Sequence, residues 1–341
     1  MAPTIDAVSR TTLGAAGEAD TLHELAAEFS RILGPGLPHD GYACLMGGVD
    51  PATGTVVMRA GKTGYGLRAG FRMAHHCRTN RYLNPALGGS LAAMLDSGRP
   101  ATRATEAVNE LMAAEGIGID LRIALTVRGR TWGAFGLTRE HGANPFTADE
   151  IRYAERLSGP LTAAVRRFAA GIPTSPARGS VPGTLVLDRD DRITAATPAG
   201  REWLRDLAAN PARGGEPGPE IVLVNPVVAA RRGGPPAVST VPTSRGWASI
   251  HAQPLHGARP GDVAVTVQTA SAADLLSAVA TCRGITDREK AVVEQALGGL
   301  PIKQIARRLD LSAHTVNDYF KAIYRKFGVT SREELFTVLT R

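Results

Sequence analysis

TDREKAVVEQALGGLPIKQIARRLDLSAHTVNDYFKAIYRKFGVTSREEL, running from Thr286 to Leu335, holds four short helical patterns in succession. Thr286 and Glu289 have the T-x-x-E spacing of a capping box, in which hydroxyl and carboxylate each accept a backbone N–H at a helix start. Val292, Val293, Ala296 and Leu297 then recur on one helical face, and Gly298-Gly299 end the pattern. Pro301 suits the first turn of a second helix, where its missing N–H would have no intrahelical partner. Ile302, Ile305, Ala306 and Leu309 give that helix its apolar stripe. Asp310-Leu311 reads as a tight turn, and Ser312 is a favourable N-cap for a third helix. Val316, Phe320, Ile323 and Phe327 share one face of it. Gly328 stops the third helix, and Ser331 with Glu334 caps a fourth over Glu333 to Leu339. The middle pair therefore reads as a helix-turn-helix.

The third helix, about fifteen residues and so roughly 22 Å long, fits lengthwise in a major groove about 12 Å wide. With Val316 and Phe320 turned to the core, His314, Asn317, Asp318 and Lys321 face outward along its N-terminal half, the part that meets base edges in this motif. Asn317 can pair in bidentate fashion with adenine, Asp318 can accept from cytosine N4, and Lys321 can reach guanine O6/N7 or a phosphate. Lys303, Gln304, Ser312 and Thr315 stand at helix starts, where side chains and backbone N–H groups meet phosphates. Lys326, further along the third helix, completes the expected DNA-binding set. The alternative is an amphipathic four-helix end piece that only dimerises. Charge weighs for nucleic acid: from Arg283 to Arg341 there are eleven Lys/Arg against seven Asp/Glu, in a chain of net charge +7. Elsewhere the basic residues are nearly all Arg, so the pI near 9.7 is weak support by itself.

This segment resembles the DNA-binding domain of the LuxR family of bacterial regulators. The residues that carry the resemblance are Thr286, Arg288 and Glu289; Lys303, Ile305 and Ala306; Leu311, Ser312, Thr315 and Val316; and Ile323, Lys326, Gly328, Val329, Ser331, Arg332 and Glu334. Pro301 replaces the family's Ser, Tyr319 stands where a His is usual, and Asn317 replaces a frequent Lys. The last departure implies an altered target sequence. The resemblance covers about a sixth of the chain and implies a duplex-DNA partner, a homodimer, and a dimer contact on the fourth helix.

A length of 341 residues implies two or three domains, and 43% hydrophobic residues suffice for real cores. No run of 18 apolar residues is present, so no membrane span is expected. The first twenty residues lack a basic start followed by an apolar stretch, so no secretory signal is expected. Cys44, Cys77 and Cys282 are odd in number and far apart, which reads as reduced thiols in a cytoplasmic protein. Pro/Gly/Arg clusters mark Ile172 to Gly183 as a linker; those at Asn210 to Glu220 and Arg231 to Pro236 fall within a second domain. No internal repeat at a fixed period is present. The expected division is a disordered tail over 1–17, a first domain over 18–171, a linker over 172–182, a second domain over 183–270, a connecting helix over 271–282, and the helix-turn-helix domain over 283–341.

In the first domain, Leu22, Leu25, Ala26 and Phe29 mark an amphipathic helix. Tyr42 to Val49 and Thr55 to Ala60 read as strands across an Asp50-to-Gly54 turn. Leu67 to Ser97 is helical in tendency. Leu121 to Val127 and Thr131 to Thr138 form a hairpin. A long helix over Thr147 to Phe168 begins with a T-x-x-E cap at Thr147 and Glu150. The segment Arg122 to Arg167 resembles the closing hairpin and helix of a GAF domain, which implies a small-molecule effector pocket or a dimerisation unit. Trp132 and Phe135 are candidates for such a pocket, or ordinary core aromatics.

Three further motifs lie in this domain. Gly61-Lys62-Thr63 looks like the end of a phosphate loop, but Val56 stands where the first Gly is needed. Gly64-Tyr65-Gly66 with Gly70 misses the dinucleotide spacing by one residue. His75-His76-Cys77 offers metal-binding atoms, yet adjacent helical residues point about 100° apart and cannot all reach one ion. No metal is assigned, no cofactor is implied, and no nucleophile–base pair marks an enzyme.

In the second domain, strands over Thr184 to Asp188 and Arg192 to Ala195 precede a helix over Pro198 to Ala208, and Ile221 to Ala230 is helical or extended. Ala237 to Val241, Trp247 to Leu255 and Asp262 to Gln268 read as strands. This order resembles a PAS fold, with a bridging domain that binds nothing as the alternative. The fold class expected is multidomain α+β: a GAF-like and a PAS-like α/β domain, then a LuxR-type four-helix domain. A one-component transcription regulator is the reading; a DNA-tethered interaction protein or GAF-type enzyme is the alternative.

Overall fold

Ile119, Leu121, Ile123 and Leu125 alternate with polar or small residues, and a period of two turns all four to one face of a strand. That face organises the first half of the computed structural model, which describes residues 2–19, 22–46, 59–61, 88–100, 102, 105–127, 130–171, 181–208, 223–233, 237–243, 246–257 and 259–340. In chain order the elements here are α1 (Ile5–Glu18), α2 (Leu22–Leu33), β1 (Gly41–Met46), β2 (Arg59–Gly61), β3 (Ala92–Asp96), α3 (Glu106–Ala114), β4 (Ile117–Val127), β5 (Arg130–Glu140) and α4 (Ala148–Gly171). The strands form an antiparallel sheet in the order β2-β1-β5-β4-β3. Leu121, Ile123, Phe135 and Leu137 of the sheet bury against Leu25, Phe29 and Leu33 of α2 and Leu157, Leu161 and Val165 of α4. Each such burial contributes about 1.5–3 kcal/mol. Phe135 meets Phe29 edge-on at 5.6 Å and stacks on Tyr42 at 6.2 Å, so it is a core aromatic. The opposite face holds a buried ion pair, Asp120 with Arg122 at 2.9 Å.

Two expectations are corrected in this region. The expected disordered tail over 1–17 is helical from Ile5 onward: Thr4 caps α1, and Val8, Thr12 and Ala16 bury one stripe of it. The Tyr153 hydroxyl on α4 donates to the Pro3 carbonyl at 2.9 Å, tying down the start of the chain. Small Ala, Thr and Val side chains carry this contact, so the sequence shows little amphipathic contrast there. Ala92–Asp96 is a strand paired with β4, not helix. Its Ala, Met and Leu favour helix intrinsically, and tertiary pairing overrides that preference. The Thr147–Glu150 capping box is present, with the Thr147 N–H donating to Glu150 at 2.7 Å. The Asp50-to-Gly54 turn, the 67–87 part of the helical stretch, Lys62-Thr63, the Gly64-to-Gly70 motif and His75-His76-Cys77 lie outside the described residues.

The second sheet comprises β6 (Gly183–Leu187), β7 (Ile193–Ala196), β8 (Ala237–Thr243), β9 (Gly246–Pro254) and β10 (Val263–Thr269), with α5 (Pro198–Ala208) and α6 (Val224–Arg231) between β7 and β8. Its order, β7-β6-β10-β9-β8, repeats the order of the first sheet strand for strand, although no sequence repeat links them. The Ile221 to Ala230 stretch, read as helical or extended, is α6 in its described part. Leu185, Val265 and Ile250 face Trp203 and Val227 in the second core. Gly183 and Gly200 let β6 and the start of α5 touch backbone to backbone, because a Cβ on Gly183 would sit 2.5 Å from the Gly200 nitrogen.

Five helices follow: α7 (Ala272–Cys282), α8 (Asp287–Leu297), α9 (Ile302–Arg308), α10 (Ala313–Phe327) and α11 (Arg332–Thr340). Their core is continuous with the second sheet, since Trp247 and Ala270 join Leu275, Leu276, Val293, Phe320, Leu335 and Leu339 in one buried cluster. Among the described residues, no helix is long and apolar enough to cross a membrane.

Candidate nucleic-acid interface

Helix α8 starts at a complete capping box: the Glu289 N–H donates to the Thr286 hydroxyl at 3.2 Å, and the Thr286 N–H donates to the Glu289 carboxylate at 2.6 Å. The same carboxylate receives the Lys326 ammonium at 2.6 Å, and Lys326 also donates to the Gly284 carbonyl at 2.7 Å. Burial opposes ionisation of Glu289, but the Lys326 and Thr286 hydrogen bonds outweigh it and hold the carboxyl below its ordinary range. Lys326, expected in the DNA-binding set, is thus engaged within the domain. Its charge is spent inside the domain, because the capping carboxylate of α8 lies within reach of the last turn of α10.

Pro301 stands at the N-cap of α9, one position before the first helical residue, and its carbonyl accepts the Gln304 and Ile305 N–H groups. Asp310 adopts a left-handed backbone, φ 54°, which makes the turn between α9 and α10. Ser312 then caps α10 by accepting the Thr315 N–H at 3.0 Å. Val316, Phe320, Ile323 and Phe327 are buried, and Gly328 ends the helix at φ 70°.

That buried face decides which of the predicted residues are exposed. Lys303, Gln304, Ser312, His314, Asn317, Asp318 and Lys321 are exposed, and Thr315 is half-buried. Asp318 lies between two basic neighbours one turn away, His314 at 3.4 Å and Lys321 at 3.2 Å. Its carboxylate is thus pre-oriented along the exposed face, and the Lys321 charge offsets the repulsion it would offer to a polyanion. Beside this row is a concavity of about 330 Å³ lined by His314, Asn317, Lys321, Tyr324, Ile302 and Arg332. A second hollow of about 630 Å³ adjoins it, lined by Pro301, Lys303, Gln304, Arg307 and Arg332.

Arg307 and Arg332 are additions to the sequence reading. Arg307 follows Lys303 by one helical turn and extends the same basic edge, a signal present in the i,i+4 spacing. Arg332 donates to the Ala296 and Leu300 carbonyls at 3.0 and 2.9 Å while its guanidinium faces the Phe320 and Phe336 rings. It therefore clamps α11 to the end of α8 and lines both hollows. In α11, Leu335 and Leu339 are buried within the chain.

A helix begun at Pro301, a tight turn at Asp310 and an outward-facing helix capped by Ser312 form a helix-turn-helix. Residues 284–339 match the family model described as bacterial regulatory proteins, luxR family, so the C-terminal domain is a LuxR-type helix-turn-helix. No curated protein matches the chain. Among solved structures, the chain is similar to the phycoerythrobilin-bound GAF domain from a cyanobacterial phytochrome, at 11% identity and a TM-score of 0.37, over 49% of this chain and 97% of that one. It is similar to Escherichia coli SdiA at 13% identity and a TM-score of 0.39, over 98% of this chain and 96% of that one. SdiA in complex with octanoyl-rac-glycerol matches at 13% identity and the same TM-score of 0.39, over 100% of this chain and 99% of that one.

Proposed function

We propose that this chain is a one-component transcription regulator of the LuxR type that binds double-stranded DNA sequence-specifically as a homodimer. The observation that carries the reading is the row His314, Asn317, Asp318 and Lys321 on the exposed face of α10, flanked by the Lys303–Arg307 edge. Asn317, Asp318 and Lys321 supply groups matched to base edges, while Lys303, Gln304, Arg307, Ser312 and Thr315 supply contacts to phosphates. The chain divides into a GAF-like sensory unit over 18–171, to which α1 is added, a linker over 172–182, a PAS-like unit over 183–270, the connecting helix over 271–282 and the DNA head over 283–341.

In this reading the chain does no catalysis. A small-molecule effector or partner protein acts at the first unit, and a duplex-DNA partner places the protein in the cytoplasm. Two heads about 34 Å apart would read two half-sites. The fourth helix, the expected dimer contact, has spent Leu335 and Leu339 on its own core, so the face it offers a second copy carries Glu333, Glu334 and Thr337. Lys321→Ala is expected to weaken binding to the selected operator by about 1–3 kcal/mol, with relaxed base preference at the contacted position. Operator affinity and preference unchanged in a titration by fluorescence anisotropy would place the reading helix elsewhere.

A further inference from the structure

The loop that joins α7 to α8 begins with Arg283, and the guanidinium of this residue touches two helix ends that belong to different parts of the chain. One nitrogen, Nη2, donates to the Ala170 carbonyl in the last turn of α4 at 3.3 Å. The other, Nη1, donates to the Lys326 carbonyl in the last turn of α10 at 3.5 Å. The guanidinium also lies over the Phe327 ring, 5.1 Å from its centroid. Both carbonyls belong to the set that an α-helix leaves without intrahelical donors, and both sit at the negative end of a helix dipole, where a cation is stabilised. The neighbouring residue reinforces the junction. Gly284 has φ +67°, a Cβ there would stand 3.3 Å from the Arg166 guanidinium of α4, and its carbonyl receives Lys326.

We infer that Arg283 is a positioning residue: it ties the long helix of the first unit to the base of the reading helix and so sets the pose of α10 relative to the sensory part. This rests on the DNA-binding reading for its consequence, but the tie itself is independent of DNA. A planar fork with donors on two sides can hold two carbonyls at once, which a single ammonium cannot do in the same geometry. A change in the last turn of α4 would then reach α10 through this junction. Base preference within a half-site belongs to Asn317, Asp318 and Lys321; the separation tolerated between two half-sites belongs to the rigidity of this junction.

The test uses the full chain as wild type, Arg283→Ala and Arg283→Lys, with circular dichroism to verify that each variant is folded. Amide hydrogen exchange by mass spectrometry is read at 166–171 and 324–328, segments far apart in sequence. In Arg283→Ala both segments are expected to exchange about tenfold faster together, the loss of a charge-assisted contact, while 289–297 keeps its protection; Arg283→Lys restores part of it. Selection from a duplex pool with randomised half-site separation then reads the consequence. Arg283→Ala is expected to keep the half-site sequence and accept a wider range of separations. Unchanged exchange at both segments, or acceleration at only one, overturns the tie whatever the DNA result. Joint acceleration with an unaltered separation preference overturns the positioning role. A wild type that selects no sequence refutes the DNA-binding reading and leaves the exchange result to decide whether Arg283 holds the two helices.

Discussion

Lys326 and Lys303 are both lysines of the helix-turn-helix domain, and the structure gives them opposite work. Lys326 is committed to Glu289 and the Gly284 carbonyl, whereas Lys303 is exposed at the start of α9. Lys326→Ala is therefore expected to destabilise the domain by about 1–3 kcal/mol, less than a fully buried pair because the lysine keeps some solvent contact, with little change in the salt dependence of DNA binding. Lys303→Ala should leave stability within about 0.5 kcal/mol and reduce the salt slope by about 1. Urea unfolding and salt titration of DNA binding separate the two. Glu289 adds a pH dependence of defined sign. Its folded-state carboxyl titrates below its ordinary value of 4.5, so its stabilising contribution is present above that value and disappears as pH falls through the folded-state value. Urea midpoints taken downward from about pH 5 should fall in the wild type and fall less in Glu289→Gln. Outward residues were legible in the sequence because Val316 and Phe320 fix which side of α10 faces in. The fate of Lys326 was not, since its partner lies 37 positions away in a different helix.

Elements with chemical punctuation were legible at their ends. Thr286 with Glu289, Ser312 and Gly328 each mark a helix boundary that the structure reproduces. The hairpin of β4 and β5 was visible through its alternation, although both strands run longer than the alternation alone showed. Two elements were not legible. Helix α1 buries Val8, Thr12 and Ala16, side chains too small to raise an amphipathic signal, and β3 is built from residues that prefer helix until β4 pairs with them. The cap at Ser312 offers a direct check on how much α10 depends on its start. Ser312→Ala removes the acceptor for the Thr315 N–H and is expected to cost about 1 kcal/mol in thermal or urea unfolding. An unchanged midpoint would mean that the preceding turn, not the hydroxyl, holds the first turn of α10.

At the scale of the molecule, two sheets of identical strand order precede the C-terminal helix-turn-helix head, and the head shares its core with the second sheet through Trp247 and Ala270. Such a head is not a module on a free tether, and its orientation is set by packing as well as by Arg283. This assembly left no trace in sequence periodicity, because its contacts join residues that are neighbours only after both sheets have formed. The central claim is that α10 reads DNA bases through Asn317, Asp318 and Lys321. It is tested most directly by selecting bound sequences from a random duplex pool with the full chain and with Asn317→Ala. The account predicts that the wild type enriches a two-fold symmetric site with half-sites about one helical turn apart. Asn317→Ala should enrich the same site with one position in each half relaxed, at unchanged thermal stability. Enrichment of no sequence by the wild type, or of an identical site by the variant, would contradict it.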